Sequence, residues 1–130
     1  MSENQRTVAV LGASSNRRKF GNKSVRAHAH AGWRVVPVNP RAAGESIEGH
    51  NTVATLAEAG PIDRVTVYLP PPLTATLLDD MAATGATEVY FNPGSADRRV
   101  LELASEKGVP ALDACSIIEL GLSPAQFGDV

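Results

Sequence analysis

Cysteine is nearly absent. Cys115 stands alone among 130 residues, which excludes an intramolecular disulfide and any Cys-x-x-Cys redox or zinc pair. Long basic runs are missing too. The formal net charge is -2, and the one tight basic cluster, Asn16 to Lys19, is too short to track a polynucleotide backbone. No stretch approaches the roughly 18 apolar residues that span a membrane. The opening "MSENQRT" is polar and lacks the apolar core of a signal peptide. The expectation is a soluble cytoplasmic protein. Also lacking are a His-x-x-x-His pair, a carboxylate dyad and a Gly-x-Ser-x-Gly elbow, so the sequence offers no catalytic set and no metal site. Internal repeats, linkers and low-complexity segments are missing as well, and residues 1–130 read as one domain.

What is there is an alternation. Hydrophobic residues make up 43% and charged residues 20%, enough to build a core. "TVAVL", Thr7 to Leu11, is the apolar run expected of a strand covered on both faces. A helix follows from about Phe20 to Ala31, closed by Gly32. Trp33 to Val38 reads as a second strand and Asn39 to Asn51 as a polar connection. Thr52 to Ala59 reads as a short helix stopped by Gly60 and Pro61. Ile62 to Leu69 is a third strand. Leu73 to Thr84 is a helix and Thr87 to Phe91 a strand. A helix over Ala96 to Lys107 is capped by Ser95, with Asp97 in its first turn. A short last strand spans Val109 to Leu112, and Ile117 to Leu120 starts a helical turn. The tail "SPAQFGDV" reads as loose. Strict alternation of strand and helix predicts an α/β, Rossmann-like three-layer fold with a parallel sheet of about five strands.

In such sheets ligands bind beyond the carboxyl ends of the strands. The loops there are "GASSNRRKFG", "NPRAAG", "PPP" and "NPGS". The first has the parts of a phosphate loop. Gly12 allows a tight turn and a close approach, with Ala13 beside it. Ser14, Ser15 and Asn16 offer donors. Arg17, Arg18 and Lys19 offer charge, and the helix near Gly21 aims free N–H groups at an anion. The loop is not Gly-x-Gly-x-x-Gly, since the glycine after Gly12 is Gly21. Beyond the second strand stand Asn39, Pro40 and Arg41, where NAD enzymes usually carry an acid for the ribose hydroxyls. A cation there suits a phosphorylated ribose, as in NADP or coenzyme A. Pro70, Pro71 and Pro72 form either a rigid wall or a helix entry. Asn92, Pro93 and Gly94 make a tight turn before another helix.

Other candidates are plain. His28, His30 and His50 read as surface residues, His28 and His30 being two apart on a helix and so on different faces. Cys115 reads as a small buried hydrophobe; the alternative is a thiol facing the ligand crevice.

The segments "VAVLGASSNRRKFG", "VVPVNPR", "VTVYLPPP", "EVYFNPG" and "DACSIIELG", spread over about residues 7–122, resemble the stand-alone coenzyme A-binding proteins of bacteria. They are also similar to the coenzyme A-binding domain of the succinyl-CoA synthetase alpha subunit. The resemblance implies that Gly12, Ala13, Ser14 and the stretch to Lys19 and Gly21 contact phosphates. It gives Arg41 the nucleotide end, Pro70 to Pro72 a wall, and Asn92 to Gly94 the last turn. Two positions depart from the resembled pattern: Ala114 stands where many relatives carry arginine, and Ile117 where many carry lysine. The synthetase's phosphorylated histidine lies in a further domain, so the comparison carries over binding and not ligase chemistry. The resulting expectation is a module for coenzyme A or an acyl-CoA without catalysis of its own, with a homodimer or a ligase-like partner subunit open. The other reading is an NADP- or NAD-binding oxidoreductase or a nucleotide-sensing regulator.

Overall fold

The computed structural model describes residues 5–130. Five parallel strands form one sheet: β1 (Thr7–Leu11), β2 (Arg34–Val38), β5 (Arg64–Val67), β6 (Glu88–Phe91) and β7 (Ala111–Asp113). Their order across the sheet is β2-β1-β5-β6-β7. Helices α1 (Phe20–His30) and α5 (Ser116–Glu119) lie against each other on one face. Helices α2 (Pro71–Thr76), α3 (Leu78–Ala82) and α4 (Arg98–Glu106) pack with the apolar cluster of the other face. The predicted fold class holds.

Strand alternation explains both layers. Ala9, Leu11, Val65, Val67, Val89 and Phe91 point into a large apolar core with Leu78, Met81, Val100 and Ala104. Val8 and Val10 point the other way, to Val25 and Ala13. Further along that second face the inward residues are polar: Arg64 and Thr66 on β5, Tyr90 on β6, and Asn92 just beyond it.

Several predicted elements are redrawn. The polar connection holds a hairpin, β3 (Ser46–Ile47) and β4 (His50–Asn51), turned by Glu48 at φ 51 and Gly49 at φ 85. Positive φ at both central residues is the turn that suits strand twist. The helix expected over Thr52 to Ala59 is a 3-10 turn, Leu56–Ala59, because Val53 continues in extended form and bridges Val38. The helix expected over Leu73 to Thr84 starts earlier, at Pro71, and breaks at Leu77 (φ -109, ψ 4). Thr74 and Thr76 turn their hydroxyls back onto carbonyls of the preceding turn, which competes with regular helix. Asp97, not Ser95, caps α4, its Oδ1 accepting from the Val100 N–H at 2.9 Å. The tail is not loose. Ser123 and Gln126 cap a 3-10 turn reciprocally, and three cations fix the last residues of the chain. Arg26 donates to the Gly128 carbonyl (2.8 Å), Lys23 pairs with Asp129 (2.8 Å) and Arg17 donates to the Val130 oxygen (2.7 Å).

His28 is the clearest correction: it is fully buried, not at the surface. Gly21, Ser24, Val25 and His28 repeat at helical spacing and form the buried side of α1. The ring lies 3.4 Å from Arg64 Nη1 through Nε2, and Nδ1 is 2.9 Å from the Ser24 carbonyl. A carbonyl only accepts and a guanidinium only donates, so Nδ1 carries the proton and the ring is neutral. Burial pushes its pKa down to about 4 against an upward pull from the Ser24 carbonyl, and the Arg64 charge adds a smaller downward push.

Arg64 itself is 1% exposed. Its Nη2 meets Glu119 at 2.9 Å and Glu88 at 3.2 Å, and its guanidinium lies 4.4 Å from the Trp33 ring centroid and 4.6 Å from that of Tyr90. Arg6 reaches Glu88 and the Trp33 ring from outside. Burial alone raises the Glu88 carboxyl, but hydrogen bonds from Arg64 and Arg6 hold it below its usual range.

Two outcomes are expected. Arg64→Ala removes the buried partner of Glu88 and lowers the unfolding free energy by about 3–5 kcal/mol, whereas Glu119→Gln on the exposed side costs less than about 1 kcal/mol. Urea denaturation of both variants reads the difference, and equal losses would contradict a buried hub. His28 binds its proton more weakly folded than unfolded. Its stabilising contribution is therefore present above pH 6.5 and falls as pH drops from 6.5 toward about 4. In His28→Gln, denaturation midpoints between those values should change less with pH than in the parent chain.

Candidate functional site

The strand order reverses direction between β1 and β5, where the chain leaves β1 toward β2 on one side and β5 continues toward β6 on the other. Loops there part and open a crevice at the carboxyl edge. Three adjoining compartments occupy that edge.

The central one is a cleft of about 360 Å³ lined from the loops after β1, β5 and β6. Gly12, Lys19, Phe20 and Gly21 supply one wall, Tyr68 to Pro70 the second, and Pro93 to Ser95 the third. Among the described residues its lining includes one cation, Lys19, and no carboxylate. Lys19 is the N-cap of α1, and no side chain caps that helix, so its positive end faces the cleft uncovered.

Two glycines make this geometry possible. Gly12 has φ 82, and a Cβ there would collide with the Tyr68 carbonyl. A Cβ on Gly21 would collide with the Gly12 carbonyl. The first glycine lets the β1 loop press on β5, and the second lets α1 press on the loop.

Beside the cleft, sharing Gly12 and Leu69 with it, lies an apolar pocket of about 190 Å³. Leu11, Val38, Leu56 and Leu77 form its body, and Asn39, Pro40, Thr55 and Asp80 also line it. On the opposite side, sharing Phe20, Tyr68 and Pro93, is a third and smaller pocket of about 90 Å³ that adds Asn92 and Cys115.

The sequence candidates fall into groups. Gly12, Lys19, Gly21, Pro70, Pro93 and Gly94 meet in the central cleft; Asn39 and Pro40 line the apolar pocket. Arg41 is exposed on the 3-10 turn Pro40–Ala42 that follows them. Ala13 is buried in the core, so its methyl group faces away from the crevice. Ser14 and Asn16 brace their own loop: Ser14 Oγ accepts from the Asn16 N–H and Asn16 Oδ1 from the Arg18 N–H, both at 3.0 Å. Ser15 and Arg18 are exposed outside the three linings. Arg17 pairs with Glu48 at 3.3 Å and with the tail. Pro71 and Pro72 open α2 and leave the cleft wall to Pro70.

Two asparagines hold the frame. Asn39 donates to the Ala13 carbonyl (2.9 Å) and accepts from the Arg41 N–H (2.9 Å), joining the β1 and β2 loops. Asn92 is 3% exposed and donates to Thr66 Oγ1 (2.7 Å) and the Val67 carbonyl (2.9 Å). Its Oδ1 accepts from the Ser116 N–H at 2.9 Å, which fixes the start of α5. Ser116 Oγ lies 2.7 Å from Thr66 Oγ1 and 3.1 Å from the Tyr68 hydroxyl. Burial raises the Tyr68 pKa, so the phenol stays protonated.

Cys115 departs from expectation. It is partly exposed at the N-cap of α5 and faces the small pocket. Ile117 is fully buried, and Ala114 is exposed. Sequence reasoning passed over Phe20, Tyr68, Leu69 and Ser95 in the cleft. Phe20 carried a visible signal, an aromatic residue at the mouth of a polar loop, and it is 56% exposed.

Solved structures resemble this arrangement. A Thermus thermophilus protein is 31% identical and superposes with a TM-score of 0.80, over 88% of this chain and 87% of that one. A conserved Pyrococcus furiosus protein is 26% identical with a TM-score of 0.77, over 88% of this chain and 98% of the other. A Pyrococcus horikoshii protein at 24% identity shares the fold, with a TM-score of 0.78 over 89% and 82% of the two chains. The model of the CoA binding domain family matches residues 6–121, and this chain belongs to that family.

Proposed function

We propose that this chain binds coenzyme A, or an acyl-CoA, along the carboxyl edge of its sheet. The observation that carries the reading is the order of the three compartments: apolar pocket, cation-lined cleft, small apolar pocket. Coenzyme A has the same order, a base, then a diphosphate, then a thiol-ended arm. The residues present fit it. The apolar pocket takes the adenine between Val38, Leu56 and Leu77. Gly12, Gly21, Lys19 and the first turn of α1 hold the diphosphate with main-chain donors and one cation. Ser14, Ser15 and Arg18 lie along the same loop, where the exposed Arg18 adds to the field without lining the cleft. Pro70 closes one wall, and Pro93 and Gly94 carry the arm toward Phe20.

Arg41 supports this orientation. It follows Asn39 and Pro40, which line the apolar pocket, and so stands on the adenosine side, where the ribose 3'-phosphate of coenzyme A would lie. The chain acts as a binding module, with its phosphate loop, turns and pocket walls all devoted to holding one ligand.

Calorimetric titration with coenzyme A, dephospho-coenzyme A, NADP and NAD tests the reading. Coenzyme A should bind tightest, and loss of its 3'-phosphate should weaken binding about ten- to a hundredfold, the range of one charged hydrogen bond. Arg41→Ala should erase that difference while leaving dephospho-coenzyme A unchanged. Tighter binding of NADP would transfer the site to a nicotinamide nucleotide.

A further inference from the structure

We propose that the small pocket behind Phe20 receives the thiol end of the ligand and selects the free thiol and the shortest acyl thioesters over longer ones. The inference rests on the coenzyme A reading and adds to it a choice of acyl group.

The pocket continues the central cleft, since Phe20, Tyr68 and Pro93 line both. It also differs from the cleft in kind. At about 90 Å³ against about 360 Å³, it is a quarter of the size. Its lining is mostly apolar, as a thiol or a methyl group prefers, and the Cys115 side chain adds a soft, weakly polar surface.

What lies behind the pocket sets its depth. Asn92 lines it and is held by Thr66 Oγ1 (2.7 Å), the Val67 carbonyl (2.9 Å) and the Ser116 N–H (2.9 Å). Tyr68 is tied by its hydroxyl to Ser116 Oγ at 3.1 Å. Asn92, Thr66 and Ser116 are buried and Tyr68 is partly so, and a hydrocarbon chain that pushed past them would leave donors and acceptors unpaired at a cost of about 1–3 kcal/mol each. The pocket therefore cannot deepen. Its front is Phe20, a ring 56% exposed and free of the core. A longer acyl chain has to displace that ring or draw the thiol end back out of the pocket. Either loses contacts that the free thiol and an acetyl group keep.

Titration with coenzyme A, acetyl-CoA, butyryl-CoA and octanoyl-CoA reads the selection. Coenzyme A and acetyl-CoA should bind alike, and octanoyl-CoA about tenfold or more weakly, the scale of overfilling a fixed apolar pocket. Phe20→Ala removes the front wall and should bring octanoyl-CoA to within a few-fold of acetyl-CoA. Equal affinities across the series, or tighter binding of the longer chains, would overturn the selection and leave the binding reading intact. Absence of binding by every member, coenzyme A included, would overturn both.

Discussion

A cation buried at the start of β5 organises one side of this protein. The Arg64 guanidinium cannot be left without partners where it lies. Its partners come from different elements: Glu88 from β6, Glu119 from α5, His28 from α1, and the Trp33 and Tyr90 rings on either side. Each partner places its own element. The two carboxylates bring α5 and the first residue of β6 to the same point. The histidine, held neutral, seats α1 over β5 without adding a second positive charge beside the first.

That arrangement runs along β5 toward the carboxyl edge of the sheet. Alternate residues of the strand face the same way, so Arg64 is followed by Thr66 and then Tyr68. The last two bond to Ser116, which Asn92 also holds. One face of the sheet thus changes from an ion cluster at its amino end to a hydroxyl–amide network at its carboxyl end. The opposite face stays apolar throughout. The polar network carries directional bonds where the apolar face carries only area. It is the part that fixes where α5, Cys115 and the wall of the small pocket stand.

The strands and their order of appearance were legible in the sequence because a strand buried on both faces leaves an uninterrupted apolar run. "TVAVL" is the plain case. The crevice at the carboxyl edge was legible for a related reason, since Gly12, Pro70 and the turn Asn92 to Gly94 mark places where such runs end. Less legible was whatever depends on a partner distant in the chain. Glu48 takes a positive φ that local sequence rules reserve for glycine or asparagine. It is held there by Asn22 at 3.1 Å and Arg17 at 3.3 Å. His28 hides in the core because Arg64, thirty-six residues on, needs an acceptor. The tail packs because Lys23 and Arg26 project from the outer side of α1. The apolar pocket draws Leu11, Val38, Leu56 and Leu77 from four separate segments, and no local motif announces it.

The same distinction sorts the residues of the crevice. Asn39 and Asn92 look from sequence like ligand contacts, being amides in loops at the carboxyl edge. In the fold their side chains also bridge neighbouring segments: Asn39 bonds the main chain of the β1 loop and of its own turn, and Asn92 bonds the Thr66 hydroxyl and the Val67 carbonyl of β5. The groups left facing the cleft are main-chain donors, one lysine, rings and prolines. Glycine contacts and asparagine bridges already hold these in place, so a ligand entering the cleft has little protein to order. The entropy cost of binding then falls mainly on the ligand's own rotors. A flexible molecule with a long arm would repay that cost best where its charged middle meets fixed donors and both ends enter apolar pockets, the arrangement found along this edge.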